Sequence, residues 1–210
     1  MAKNDRRRQQ KLMKKRRKDK QRRKARSAIR LSVPALERTR IVESREYPVY
    51  ECLIGPGWHE RGLAHIILAR MQPDGNIVAG VYLVDMFCLG LKNTFAHANL
   101  SESTYRNRLR DLIRDREGLE TCETDLAHTI IYGAIDFAGK FGFRPHPDFE
   151  LSRHILAERG AFVPREGVEF GKDGKPLYVS GPHDDVGGIV RQLEAFAGEG
   201  NFDFVVGGPF

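Results

Sequence analysis

Cysteine is scarce in this sequence: Cys52, Cys88 and Cys122 are the only three, widely spaced and without a Cys-x-x-Cys pair. That spacing argues against a disulfide framework or a thiolate zinc site and fits reduced thiols in a cytoplasmic protein. Cys88 lies in an apolar run, where a buried, inert thiol is expected. Long hydrophobic runs are missing too. No stretch approaches the ~20 apolar residues of a membrane span, so no integral membrane association is expected. No apolar run follows the N-terminal charges, as a secretory signal would require, and a Lys-rich start without an apolar stripe does not read as a transit peptide. Glycine-rich phosphate loops of the Walker or Gly-x-Gly-x-x-Gly kind are absent, as is a serine nucleophile elbow. The sequence shows no helix-turn-helix, zinc-finger or RNP-type motif to favour DNA or a reader of bases.

Negative charge is nearly missing from the first thirty residues. Sixteen of the 35 Lys and Arg residues fall there, opposed only by Asp5 and Asp19 among 28 acidic ones. Residues 1–30 therefore carry +14 and the remaining 180 carry −7. The run RRRQQKLMKKRRKDKQRRKAR, Arg6 to Arg26, has only Leu12 and Met13 as large apolar residues. Its like charges repel and it buries too little to offset ordering entropy, so a disordered arm is expected over residues 1–30. Lys, Arg and Gln are good helix formers, so charge neutralisation on a polyanion would favour a helix. The arm has no aromatic side chain on which bases could stack, so it would grip phosphate backbone rather than read sequence. The expected phosphate contacts are Arg6, Arg7, Arg8, Lys11, Lys14, Lys15, Arg16, Arg17, Lys18, Lys20, Arg22, Arg23, Lys24 and Arg26. RNA, free or in a ribosome, is preferred over DNA because basic arms fold onto structured RNA. Two other uses of such an arm are folding back onto the acidic body and binding anionic lipid. The second is weakened by the lack of an apolar face.

A hinge is expected over 31–46 and one domain over 47–210. Val49 to Ile54 reads as a strand before the Gly55–Pro56–Gly57 break. Two β-branched-rich runs flank Pro73–Asp74–Gly75–Asn76, a hairpin signal, and the second run, to Leu91, reads as a central strand covered on both faces. Ser101–Glu117 and Glu123–Phe141 read as helices. In the second, Leu126, Ile130, Ala134, Phe137 and Phe141 share one side, while Asp125, His128, Thr129, Tyr132 and Asp136 share the other. A third helix is expected near Asp148–Glu158, a second hairpin around Lys172–Asp173–Gly174–Lys175, a last helix over Asp184–Ala197 and a closing strand over Phe202–Val206. This order describes an α+β domain: a mostly antiparallel sheet with two β-hairpins, packed by three to four helices.

The chemistry is less legible. Asp85 interrupts an apolar strand, and Asp125, His128 and Asp136 share the polar helix face, with His97 near in sequence. Convergence of Asp85, Asp125, His128 and Asp136 would make a metal-dependent phosphoester hydrolase or nuclease, with a divalent metal as cofactor. The plainer readings are a solvated helix face and a turn-capping Asp85. None of the seven histidines has His-Glu-x-x-His or His-x-His spacing, so no metal site is assigned. Asp184 and Asp185 precede a helix and read as its caps. The stretches GNIVAGVYLVDMFCLGLKNTF (75–95) and FGKDGKPLYVSGPHDD (170–185) resemble a group of uncharacterised bacterial proteins over most of the body, though not the arm. The resemblance implies a bacterial cytoplasmic protein and carries no activity or ligand. The leading expectation is an RNA- or ribosome-binding protein tethered by its arm. Alternatives are the hydrolase and an interaction module for an acidic protein partner.

Overall fold

The computed structural model describes residues 34–111, 113–114, 118–182 and 184–206. Residues 1–33 (the expected cationic arm among them), Leu112, residues 115–117, His183 and residues 207–210 lie outside them. The chain divides into two units, 1–38 and 39–210. Of the first, only Pro34–Arg38 are described; they open helix α1, Ala35–Glu43, with the Arg38 amide on the Pro34 carbonyl at 3.0 Å. Of the expected hinge, 31–46, residues 31–33 lie outside the described residues, Ala35–Glu43 are helical and Ser44–Glu46 continue as a 3-10 turn.

Strand β1 is Val49–Ile54, followed by a one-turn helix α2, Trp58–Arg61. β2, Leu63–Met71, and β3, Ile77–Asp85, form the expected hairpin, with Met71 opposite Ile77 and Leu63 opposite Asp85. The Asp74 side chain closes the connection by accepting the Asn76 amide at 3.0 Å. β3 does not run on to Leu91: it stops at Asp85, the chain turns, and β4 returns as Gly90–Leu100. Helix α3, Glu102–Thr104, is capped by Ser101 and runs directly into a π-helical segment, Tyr105–Arg110. β5, Glu120–Thr121, adds to β1, and the antiparallel sheet has the order β4-β3-β2-β1-β5. α4 is Thr124–Gly139, α5 is Phe149–Ser152, β6 is Leu177–Val179, α6 is Val186–Ala197 and β7 is Asp203–Val205. The fold is α+β.

Alternation along the strands divides the core. Leu53, Ile67, Ala69, Ile77, Ala79 and Val81 pack on one face against Tyr105 and Leu109 of the π-helical segment. Side chains of opposite parity point the other way. There the Tyr82 hydroxyl donates to the Ser152 carbonyl at 2.9 Å, and Thr94 Oγ1 donates to Ser152 Oγ at 2.9 Å. Buried on both faces, β3 is apolar almost throughout. Each such aliphatic side chain contributes about 1.5–3 kcal/mol on burial. A third cluster joins Cys88, Tyr178 and Leu193 with Phe141, Ile189 and Phe202, holding α6 and β6 onto the turn after β3.

Two further expected elements are corrected. The second hairpin is only a tight turn: Lys172 and Lys175 exchange backbone bonds at 2.7 and 3.0 Å, and the flanking chains then part. The Gly171 amide goes to the Met86 carbonyl at 3.0 Å and the Leu177 amide to the Phe87 carbonyl at 3.1 Å. β6 instead pairs in parallel with β7. The third helix, expected to reach Glu158, ends at Ser152 because side chains elsewhere take the carbonyls that would continue it. Tyr82 takes Ser152, Arg45 takes Arg153 and Leu156, Ser44 takes His154, Arg70 takes Ile155 and Tyr132 takes Ala157. Six successive carbonyls, Ser152 to Ala157, thus accept side-chain donors from distant parts of the chain.

Candidate functional site

The polar side of α4 carries three of the four candidate catalytic residues; it is covered around His128 and Tyr132, while Asp125 is half-buried and Asp136 stays exposed. His128 is 2% exposed and Tyr132 7%. The Phe162 ring lies 5.0 Å from His128 and 5.8 Å from Tyr132, and the Arg159 guanidinium sits 4.6 Å over the Tyr132 ring. Asp136 pairs with Arg159 at 2.7 Å, and Thr129 Oγ1 accepts the Arg165 amide at 2.9 Å. This face receives the chain that returns after α5. His128 Nε2 accepts the Ala157 amide at 2.9 Å, so the ring proton belongs on Nδ1. Burial, aided by the nearby Arg70 charge, pulls the imidazole down to about 4, so it is neutral at pH 7.

Asp85 is built differently. It ends β3, and its Oδ1 accepts the Phe87 amide at 3.0 Å and the Cys88 amide at 2.9 Å, closing the turn into β4. Burial pushes its carboxyl up, against the Cys88 amide and the Lys92 charge, which favour the anion. Its ionisable neighbours include Lys92, Cys88 and Tyr178. Lys92 Nζ donates to Asp184 Oδ2 at 3.0 Å, and both side chains are largely buried, at 20% and 15% exposure. The same Oδ2 accepts the Gly181 amide at 2.8 Å and the Tyr178 hydroxyl at 3.3 Å. Burial opposes ionisation of Asp184, yet the Gly181 amide and Lys92 prevail and hold its carboxyl below the usual range. Burial pushes the Cys88 thiol up to about 12, so it stays protonated. Asp185, not Asp184, caps α6, accepting the Gly188 amide at 3.2 Å.

The four expected carboxylate and imidazole groups are therefore divided between the helix face and the β3–β4 turn. Among the described residues, no group of three or more His, Cys, Asp and Glu side chains is placed to hold a metal ion. His97 lies exposed on β4, its ring 5.6 Å from that of Phe95. The expected phosphate-gripping residues, Arg6 to Arg26, lie outside the described residues. No helix among the described residues is long and apolar enough to cross a membrane.

Two arrangements escape a reading of the sequence. Lys92 and Tyr178 join Asp85 and Asp184 only through tertiary contact, and no spacing announces them. The other is an open groove of about 390 Å³ lined by Trp58, Glu123, Leu126, Arg165, Glu166, Gly167 and Val168. Its size falls at the lower end of small-ligand sites. A Glu123–Arg165 ion pair crosses it. The sole tryptophan, placed straight after Gly55–Pro56–Gly57, is the sequence signal that could have pointed there. Compared with protein-family models, with curated proteins and with solved structures, the chain gives no significant match.

Proposed function

We propose that this chain is an RNA-associated binding protein, held to RNA or to a ribosome by the Lys and Arg residues of its first thirty positions. One observation carries the reading: those positions hold +14 while the remaining 180 hold −7. Each phosphate neutralised releases counterions, and an arm making ~6–10 contacts loses roughly 10³–10⁵ in affinity between about 50 and 200 mM salt. Arg supplies bidentate forks and Lys point charges, so the mixture suits phosphate oxygens without asking for a base sequence. No aromatic residue precedes Tyr47, which leaves backbone contact as the mode of attachment. The net-negative body opposes non-specific collapse onto the polyanion, so the attraction is confined to one end of the chain.

The test is co-sedimentation of the purified chain with ribosomes and with total RNA at rising salt, with and without nuclease. The full chain should co-sediment at moderate salt and be released by nuclease. A chain starting after Arg30, and a full-length chain with Arg6, Arg7, Arg8, Arg16, Arg17, Arg22 and Arg23 changed to Gln, should not co-sediment. Equal co-sedimentation of these variants overturns the reading. Association that survives nuclease also overturns it and points to an acidic protein partner.

A further inference from the structure

The β1–β5 register places Cys52 and Cys122 opposite each other, one position beyond the Leu53–Thr121 pair. The Cys122 amide donates to the Cys52 carbonyl at 3.0 Å, and the two sulfurs lie 3.4 Å apart. Directly opposed residues of a hydrogen-bonded antiparallel pair have Cα atoms about 5.5 Å apart, within the ~4.4–6.8 Å that a disulfide spans. The geometry points to a reversible cross-strand disulfide between Cys52 and Cys122, a modification site for peroxide-class oxidants. Only the sulfurs need to approach, to about 2.05 Å, and β5 is a two-residue edge strand able to follow.

The two thiols are not equivalent. Cys52 is 3% exposed, whereas Cys122 is half-buried at the sheet edge. The hydrogen bond from the Cys52 thiol lowers the pKa of Cys122 against burial and the Glu120 charge, and the same contact raises that of Cys52. Cys122 is therefore the attacking sulfur and Cys52 the resolving one. In the first step the Cys122 thiolate attacks a peroxide oxygen. The S–O bond forms, the O–O bond breaks, and the leaving hydroxide takes a proton to become water, with sulfur oxidised to sulfenic acid. In the second, Cys52 attacks the Cys122 sulfur as its proton passes to the departing hydroxide. The S–S bond forms, the S–O bond breaks, and a second water leaves. Two thiols and one peroxide thus give one disulfide and two waters. Cys88, held protonated in the cluster with Tyr178 and Leu193, takes no part.

The experiment treats the full chain with hydrogen peroxide in small excess, alkylates the remaining thiols and maps the peptides by mass spectrometry without reductant. The expected result is one peptide pair joined through Cys52 and Cys122, released by dithiothreitol, with Cys88 alkylated. In Cys52→Ser the Cys122 sulfenic acid should accumulate, raising dimedone labelling about tenfold over the unsubstituted chain. In Cys122→Ser no intramolecular disulfide should form. The proposal is overturned if the unsubstituted chain keeps all three thiols, bonds through Cys88, links two chains, or stops at Cys122 sulfenic or sulfinic acid. The unsubstituted map decides the matter even where a serine variant fails to fold.

Discussion

His128 Nε2 accepts the amide of Ala157 at 2.9 Å, and one helical turn further along α4 the Tyr132 hydroxyl donates to the carbonyl of the same Ala157 at 2.8 Å. Both backbone polar groups of one loop residue are thus held by side chains of one helix. The bond to Nε2 requires a neutral imidazole, which ties the returning chain to the protonation state of His128.

That tie makes stability depend on pH in a defined window. An unfolded histidine titrates near about 6.5, and burial with the neighbouring Arg70 charge takes His128 down to about 4. Between these values the unfolded chain binds the proton and the native chain does not. The His128 contribution is therefore whole above pH 6.5 and is lost as pH falls to 4, by about 3 kcal/mol. Urea midpoints at pH 7.5, 5.5 and 4.5 should show that slope in the unsubstituted chain, and His128→Gln should lack most of it.

Arg70 is buried, and its guanidinium donates to the carbonyls of Ile155 at 2.7 Å, Arg45 at 3.1 Å and Tyr47 at 2.7 Å. Arg70→Met should cost about 3 kcal/mol, because three carbonyls lose their donor in the interior. Arg70→Lys should recover less than half of that, since one ammonium lacks the planar fork that reaches all three. Urea unfolding of both variants at pH 7.5 gives the comparison.

Asp85 works as the acceptor that closes the β3–β4 turn. Asp85→Ala should lower stability by about 2 kcal/mol by orphaning the Phe87 and Cys88 amides. Asp85→Asn keeps an oxygen in place and avoids the burial cost that raises the carboxyl pKa, so its loss should stay under about 1 kcal/mol. The ratio of the two losses, from chemical denaturation, separates a turn-closing role from a need for negative charge.

Gly90 starts β4 at φ +69°, where an added Cβ would lie 2.9 Å from the Ala134 carbonyl oxygen and 2.8 Å from the Ala138 Cβ. Gly90→Ala should cost about 3 kcal/mol through strain and the displacement of α4 from the sheet. Gly75, at φ +82° with nothing within 4 Å, provides the control. Gly75→Ala should cost only about 1 kcal/mol, the conformational part alone. Thermal unfolding of the two variants reads the difference.

Much of this fold is local and therefore readable. The turn chemistry of Pro73–Asp74–Gly75–Asn76 specifies the β2–β3 hairpin, and the 3.6-residue period of Leu126, Ile130, Ala134 and Phe137 specifies α4. Position alone marked Asp85, but its neighbours Lys92 and Tyr178 come from β4 and β6. β4 escaped because its alternation, with Phe95 and His97 exposed, follows an apolar run that conceals the turn at Met86–Leu89. The second hairpin failed for a related reason: turn residues fix a reversal but not the partner of the chain that leaves it.

The sequence by itself determined the charge separation, the fold class and the existence of α4, since each follows from composition or from contacts only a few residues apart. Whether the second side of α4 meets water or protein was decided by the tertiary structure. A polar stripe satisfies either solvent or the backbone of a returning loop, and only the path of residues 153–166 selects between them. The pairing of Cys52 with Cys122 was decided the same way, 70 residues apart in sequence and 3.4 Å apart at sulfur. Sheet register, which no spacing encodes, brings them together.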